Sequence, residues 1–326
     1  MNKAKFGLFW FGLVALLNSA AYAADSVIAA KADRSLLIDI AMLSENRLVA
    51  VGERGHVLIS EDKGKSWRQV ITPASAMLTA VTFIDDQTGY AVGHQQVIMK
   101  TSDGGETWSL QYQEADDLAY PALMDVWFRD GGWGVAIGAY GLILHTANGG
   151  QDWEPVDIEN LSDPDFGLPH FYSLDFDGRN NRLYMAGELG FIAVSEDFGQ
   201  TWQALESPYD GSFFNIAVSR NGSLLAMGLR GHLFRSTDQG ATWEEIETET
   251  TASINKMVSV KGAQIMFLAV DGIMLFSNDD GKSVTPIQYK ERTGLMAGVL
   301  ADLNDLVVVS EKGIKHIDLD GHQLPQ

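Results

Sequence analysis

Thr101-Ser-Asp-Gly-Gly-Glu-Thr-Trp108 recurs along the chain as Ser60-Glu-Asp-Lys-Gly-Lys-Ser-Trp67, Thr146-Ala-Asn-Gly-Gly-Gln-Asp-Trp153, Ser195-Glu-Asp-Phe-Gly-Gln-Thr-Trp202 and Ser236-Thr-Asp-Gln-Gly-Ala-Thr-Trp243. In chain order the copies begin 41, 45, 49 and 41 residues apart. Another step of 41 reaches Ser277-Asn-Asp-Asp-Gly-Lys-Ser, with Val284 in place of tryptophan, and one more reaches an eroded copy at Asp318-Leu-Asp-Gly321. Upstream of each box the register repeats: Ala50-Val-Gly-Glu-Arg-Gly-His-Val-Leu-Ile59, Ala136-Ile-Gly-Ala-Tyr-Gly-Leu-Ile-Leu-His145 and Ala226-Met-Gly-Leu-Arg-Gly-His-Leu-Phe-Arg235. A hydrophobic run opens every unit, as in Leu78-Thr-Ala-Val-Thr-Phe83. Each unit reads as four short strands, and a period near 40 with glycine and aspartate turns predicts an all-β, seven-bladed β-propeller of antiparallel blades.

The boxes have a structural reading. Asp62, Asp103, Asn148, Asp197, Asp238 and Asp279 stand where a short acceptor side chain can hold a turn by bonding nearby amides. The glycine two positions later permits a positive φ. Trp67, Trp108, Trp153, Trp202 and Trp243 supply large rings that cover the turn. These residues are expected to staple the third strand of a blade to its fourth, which makes them poor catalytic candidates.

Outside the repeats, Lys3 and Lys5 precede an apolar run from Phe6 to Leu17 and then Ala21-Tyr22-Ala23. That order is the pattern of an export signal, with residues 1–23 removed and 24–326 forming one domain, expected in a bacterial periplasm. The apolar run is short for a bilayer-spanning helix. Ser26-Val-Ile-Ala-Ala30 resembles the Val70-Ile71 that follows the first box, so residues 25–31 are expected to pair onto the last blade and close the ring.

Composition excludes more than it names. With 43 acidic and 23 basic side chains and a formal charge of −20, the protein is a poor partner for nucleic acid. The absence of cysteine removes disulfides, thiolate metal sites and cysteine nucleophiles. His56, His94 and His232 fall at repeated loop positions without metal-ligand spacing and read as surface-loop residues; no cofactor or metal is expected.

The repeat unit resembles that of the photosystem II stability/assembly factor family and, more broadly, of Asp-box (BNR-repeat) propellers, over roughly residues 25 to 321. The resemblance implies a non-catalytic assembly or accessory factor for a membrane-protein complex. In non-photosynthetic bacteria it points to inner-membrane partners such as RND-type (MMPL) exporters. Asp boxes also occur in sialidases and other glycosidases, so a carbohydrate-binding or glycoside-hydrolysing propeller is the alternative. Against it, the arginines show no carboxylate-clamp pattern: Arg129, Arg220 and Arg235 belong near the boxes, whereas Arg54 and Arg230 occupy the Gly-x-x-Gly tips.

Departures from the repeat mark the expected binding face. Two insertions, Glu114–Pro121 and Asn160–His170, connect one blade to the next on the face opposite the boxes. They bring Asp116, Asp117, Tyr120, Asp163, Asp165, Phe166 and His170 to the same side as the tip residues Arg54, Tyr140 and Arg230. Loops on a rigid scaffold commonly carry binding function, and an acidic set favours a basic partner. The opening strands place Asp39, Asp125, Asn215 and Lys256 at roughly equivalent positions in otherwise apolar runs, where they are expected to line a central channel.

Overall fold

The computed structural model describes residues 24–113, 121–158, 161 and 167–319. Seven antiparallel sheets stand in a ring, six of four strands and one of three among the described residues. The first blade shows the plan: Leu37–Met42 innermost, then Leu48–Gly52, Val57–Ser60 and, outermost, Arg68–Val70. The inner strands of the others are Leu78–Phe83, Leu123–Phe128, Phe171–Asp177, Phe213–Val218, Ile254–Ser259 and Leu295–Asp302. Second strands are buried on both faces because each is sandwiched between neighbouring blades, and they read as continuous apolar runs such as Leu48–Gly52. The inner strands alternate, since one of their faces looks into the channel.

The boxes fold as staples. In the first, Ser66 donates from its backbone N–H to Asp62 Oδ1 at 2.8 Å and from its hydroxyl to Oδ2 at 2.6 Å. The N–H of Gly64 donates to Ser60 Oγ at 2.8 Å. The same bonds recur around Asp103, Asp197, Asp238 and Asp279. The third box keeps the geometry with its polarity altered: Asn148 accepts from Asp152 N–H at 3.0 Å while its own amide donates to the Asp152 carboxylate at 2.9 Å.

The box tryptophans do more than cover their turns. Trp108 of the second blade packs with Val49, Val51 and Ile59 of the first. Trp153, Trp202 and Trp243 each join the core shared with the preceding blade, and Trp67 does so across the seam to Val307 and Val309. The box glycine follows the same path: at Gly199 (φ 88°), a Cβ would lie 2.6 Å from Val135 Cγ2 of the blade before. Glycine is therefore required there for close approach as well as for its positive φ. The box ties blade to blade, a role beyond the strand-to-strand staple the sequence suggests.

The seam also differs in detail from the expected strand pairing. The carbonyl of Asp33 would lie 2.0 Å from a Cβ at Gly313, as that of Ala74 would from one at Gly55. Ala29 and Ala32 pack with Ala297, Val307 and Ile314. Among the described residues, however, 24–31 form no ladder with Gly313–Asp318. The segment's polar groups are engaged by the first blade instead. Gln69 donates to Val27 O and accepts from Ala29 N–H, at 3.0 and 2.8 Å, and Ser26 N–H donates to Thr72 O at 2.9 Å. The ring thus closes by packing plus a side-chain clasp.

Candidate interaction face and central channel

A register shift occurs at the same place in all seven inner strands, between Leu37 and Asp39 in the first and between Leu295 and Ala297 in the last. A β-bulge lets two residues oppose one and re-aims a side chain. Here it turns Ile38, Met124, Tyr172, Phe214 and Met296, with Thr79 and Asn255, to the channel mouth, on the face that carries the Gly-x-x-Gly tips. The next residue of each strand forms a second layer: Asp39, Ala80, Asp125, Ser173, Asn215, Lys256 and, completing it, Ala297. The two layers enclose a cavity of about 300 Å³.

The polar layer also sets the spacing of the blades. Asp39 Oδ2 accepts from Val81 N–H of the next inner strand at 3.1 Å, and Asp125 Oδ2 from Leu174 N–H at 2.8 Å. Asn215 Oδ1 accepts from Met257 N–H at 3.1 Å while its amide donates to Ser173 Oγ at 2.8 Å. Asp175, which sequence reading passed over, accepts from Val218 N–H at 2.7 Å. It lies two residues beyond the expected layer, so repeat alignment gives it no partner. A polar residue in an apolar inner strand was the signal that would have found it.

Charge in the channel is unbalanced. Lys256 Nζ lies 3.8 Å from Asp39 Oδ1, and this neighbouring carboxylate holds the ammonium above its ordinary pKa. Burial pushes the Asp125 and Asp175 carboxyls up to about 6, against Lys256 and the amide bonds, which favour the ionised form. Among the described residues no cation lies within ion-pairing distance of either. Around the box carboxylates the balance reverses. Asp62 and Asp238 are lowered to about 2, chiefly by hydrogen bonds from Ser66 and Thr242.

The tip residues lie where repeat alignment puts them. Arg54, Tyr140 and Arg230 are exposed, each at φ between 54° and 58°. Tyr140 is 70% exposed and Leu189, the equivalent tip of the fourth blade, is 51% exposed. Their counterparts Arg54, Gln95, Arg230, Asp271 and Lys312 are all polar. From Tyr140 an aromatic path leads inward: His170 at 4.4 Å between ring centroids, Tyr172 at 6.3 Å from His170, and Phe214 at 5.7 Å from Tyr172. His170 Nε2 stands 3.8 Å from Glu188 Oε2. Asp116, Asp117, Tyr120, Asp163, Asp165 and Phe166 lie outside the described residues.

One expectation requires correction. His56 is not a surface-loop residue: it is 2% exposed, with Nδ1 3.0 Å from Ser35 Oγ, and burial lowers its pKa. It is sealed by the N-terminal turn Ala32–Arg34, a contact invisible in the repeat. Arg235 lies beside a box, as expected. It is buried between the fifth and sixth blades, donating to Asp280 O at 2.9 Å and to Ser223 Oγ at 2.7 Å. Arg129 lies over the Phe198 ring at 4.7 Å. Arg54 and Arg230 sit on the opposite face, so these arginines do not converge on one point. Among the described residues no group of three or more histidines and carboxylates is arranged to hold a metal ion.

Solved structures place this architecture among known propellers. A YCF48 bound to a D1 peptide is 16% identical, with a TM-score of 0.71 over 92% of this chain and 99% of that one. YCF48 from Cyanidioschyzon merolae is 17% identical, with a TM-score of 0.72 over 92% and 100%. The Niastella koreensis GH74 enzyme is 13% identical, with a TM-score of 0.68 over 88% of this chain and 53% of that one. At these identities the similarity is one of fold. No curated protein sequence matches the chain. The profile of the family described as photosynthesis system II assembly factor YCF48 matches residues 65–310, more than half of the sequence, and the chain belongs to that family.

Proposed function

We propose that this chain is a non-catalytic, exported binding propeller that holds a segment of a membrane-protein complex during its assembly or operation. The observation that carries the proposal is the continuous path from the exposed Tyr140 ring through His170 and Tyr172 to the channel mouth. Contiguous exposed aromatic surface rimmed by polar side chains marks interaction sites. A relative captured with a D1 peptide supports protein binding as the family's activity. The export pattern of residues 1–23 favours a periplasmic setting and an inner-membrane complex, with an RND-type (MMPL) exporter as one candidate partner. The insertion residues Asp116, Asp117, Tyr120, Asp163, Asp165 and Phe166 belong to the same proposed face.

The test is crosslinking in the native host, with a photoreactive residue at position 140 and, as control, at the exposed position 130 on the box face. A membrane protein captured from position 140 and absent from position 130 is the expected result. Equal capture, or none from position 140, overturns the proposal. A second reading, glycoside hydrolysis, draws on the channel carboxylates Asp39 and Asp125 and on the fold shared with a GH74 enzyme. Glycan turnover abolished in Asp125→Asn or Asp39→Asn would establish it and displace the first.

A further inference from the structure

We infer that the channel mouth receives one lysine or arginine side chain from an extended partner segment, with flanking apolar side chains resting on the Tyr140–Leu189 side of the face. The inference rests on the protein-binding reading and names the chemistry of the partner.

The cavity sets the size of the guest. A volume of about 300 Å³ holds one long side chain and excludes a folded element. Its upper wall is apolar, built from Ile38, Met124, Tyr172, Phe214 and Met296, and suits a methylene stem. Its lower layer is acidic in net charge. Lys256 makes its ion pair with Asp39, which leaves Asp125, and Asp175 beyond the cavity lining, with backbone amides as their hydrogen-bond partners. Each carboxylate oxygen there accepts one hydrogen bond and retains capacity for another. A cation entering the mouth therefore meets complementary charge, and Tyr172 and Phe214 add π faces along its path. A carboxylate guest would meet Asp39 and Asp125 on the cavity wall against one lysine. The apolar tips explain the flanks: Tyr140 and Leu189 are exposed side by side in consecutive blades, where the other five tips are polar.

Calorimetric titration of the protein with short peptides tests this. The probes are N-acetylated, C-amidated hexapeptides with one central lysine or arginine between leucine and phenylalanine, plus matched peptides carrying norleucine or glutamate there. The basic peptides should bind at least tenfold more tightly than the norleucine peptide, and the glutamate peptide should be weakest. Asp125→Asn, which keeps an oxygen acceptor for the Leu174 amide, should cost about tenfold. Lys256→Met removes the competing cation and should tighten basic-peptide binding several-fold, a gain that misfolding cannot produce. Equal binding of lysine and norleucine peptides, weakened binding in Lys256→Met, or no binding by any basic peptide overturns the inference. Spermidine binding as tightly as the peptides also overturns it in favour of a free polyamine. Crosslinks from position 140 in the face of failed peptide binding would sink this inference and leave the broader reading standing; failure of both sinks both.

Discussion

Aspartate does opposite work on the two faces of this ring. At the boxes, Asp62 and Asp238 are held ionised near a pKa of about 2 by serine, threonine and amide donors. In the channel, Asp125 and Asp175 sit in a protein-walled lumen that raises them to about 6. The first set closes turns and has its acceptor sites filled by its own loop. The second also bonds amides of the neighbouring blade, yet no cation stands within ion-pairing distance of it among the described residues, and Ala80 and Ala297 occupy the layer of Asp125 without a polar atom.

The largest effect should come from the architectural side. Trp108 is 8% exposed and fills the space between the first two blades. Trp108→Ala should lose about 3–5 kcal/mol of unfolding free energy, measured by chemical denaturation. The half-buried Trp67 at the seam should lose less on the same substitution. If the two cost the same, the box tryptophans act only on their own turns, and the blade-to-blade role fails.

An intermediate effect should separate the two carboxylate sets by pH. A box aspartate whose folded pKa is depressed contributes stability that is present above about pH 4 and is lost as pH falls toward 2. A channel aspartate whose folded pKa is raised has the opposite sign: the folded state holds the extra proton between about pH 4 and 6, so stability falls as pH rises through that window. Each such proton on a channel aspartate changes unfolding free energy by about 1.4 kcal/mol per pH unit. The groups facing Asp125 are Lys256, Asp39 and the amides of Leu174 and Val126. Asp125→Asn should flatten the fall between pH 4 and 6 and leave the rise between pH 2 and 4 untouched. An unchanged slope above pH 4 would show that the Asp125 carboxyl titrates like an exposed one.

How much of this was legible in the sequence follows the same division. The box period predicts seven blades, the box turns and which face each loop occupies, because these depend on contacts a few residues apart that recur. Asp39, Asp125, Asn215 and Lys256 stand out as polar interruptions at one register position, and that register puts them in one layer. Three features are not written in the repeat. The bulges at Ile38 and its counterparts shift the pairing of each inner strand with the second strand of its own blade. Asp175 bonds Val218, a partner 43 positions away in the sequence. Gln69 intercepts the N-terminal segment before it can pair with Gly313–Asp318. His56 was misread for the same reason, since its burial is supplied by the N-terminal turn through Ser35.

The smallest effect is the most direct test of whether the apolar tips are kept for function. Leu189 sits at φ 54°, where its Cβ crowds the backbone, and half of it faces solvent. A branched apolar side chain there satisfies neither requirement of the position, whereas asparagine tolerates left-handed backbone and water. Leu189→Asn should therefore raise unfolding free energy by about 0.5 kcal/mol, read from paired denaturation curves. The same variant should bind the basic hexapeptides several-fold more weakly. Together those results would mean that stability is given up at this tip to keep an apolar contact. A loss of stability with unchanged peptide binding would instead place Leu189 with the architectural residues and remove it from the binding face.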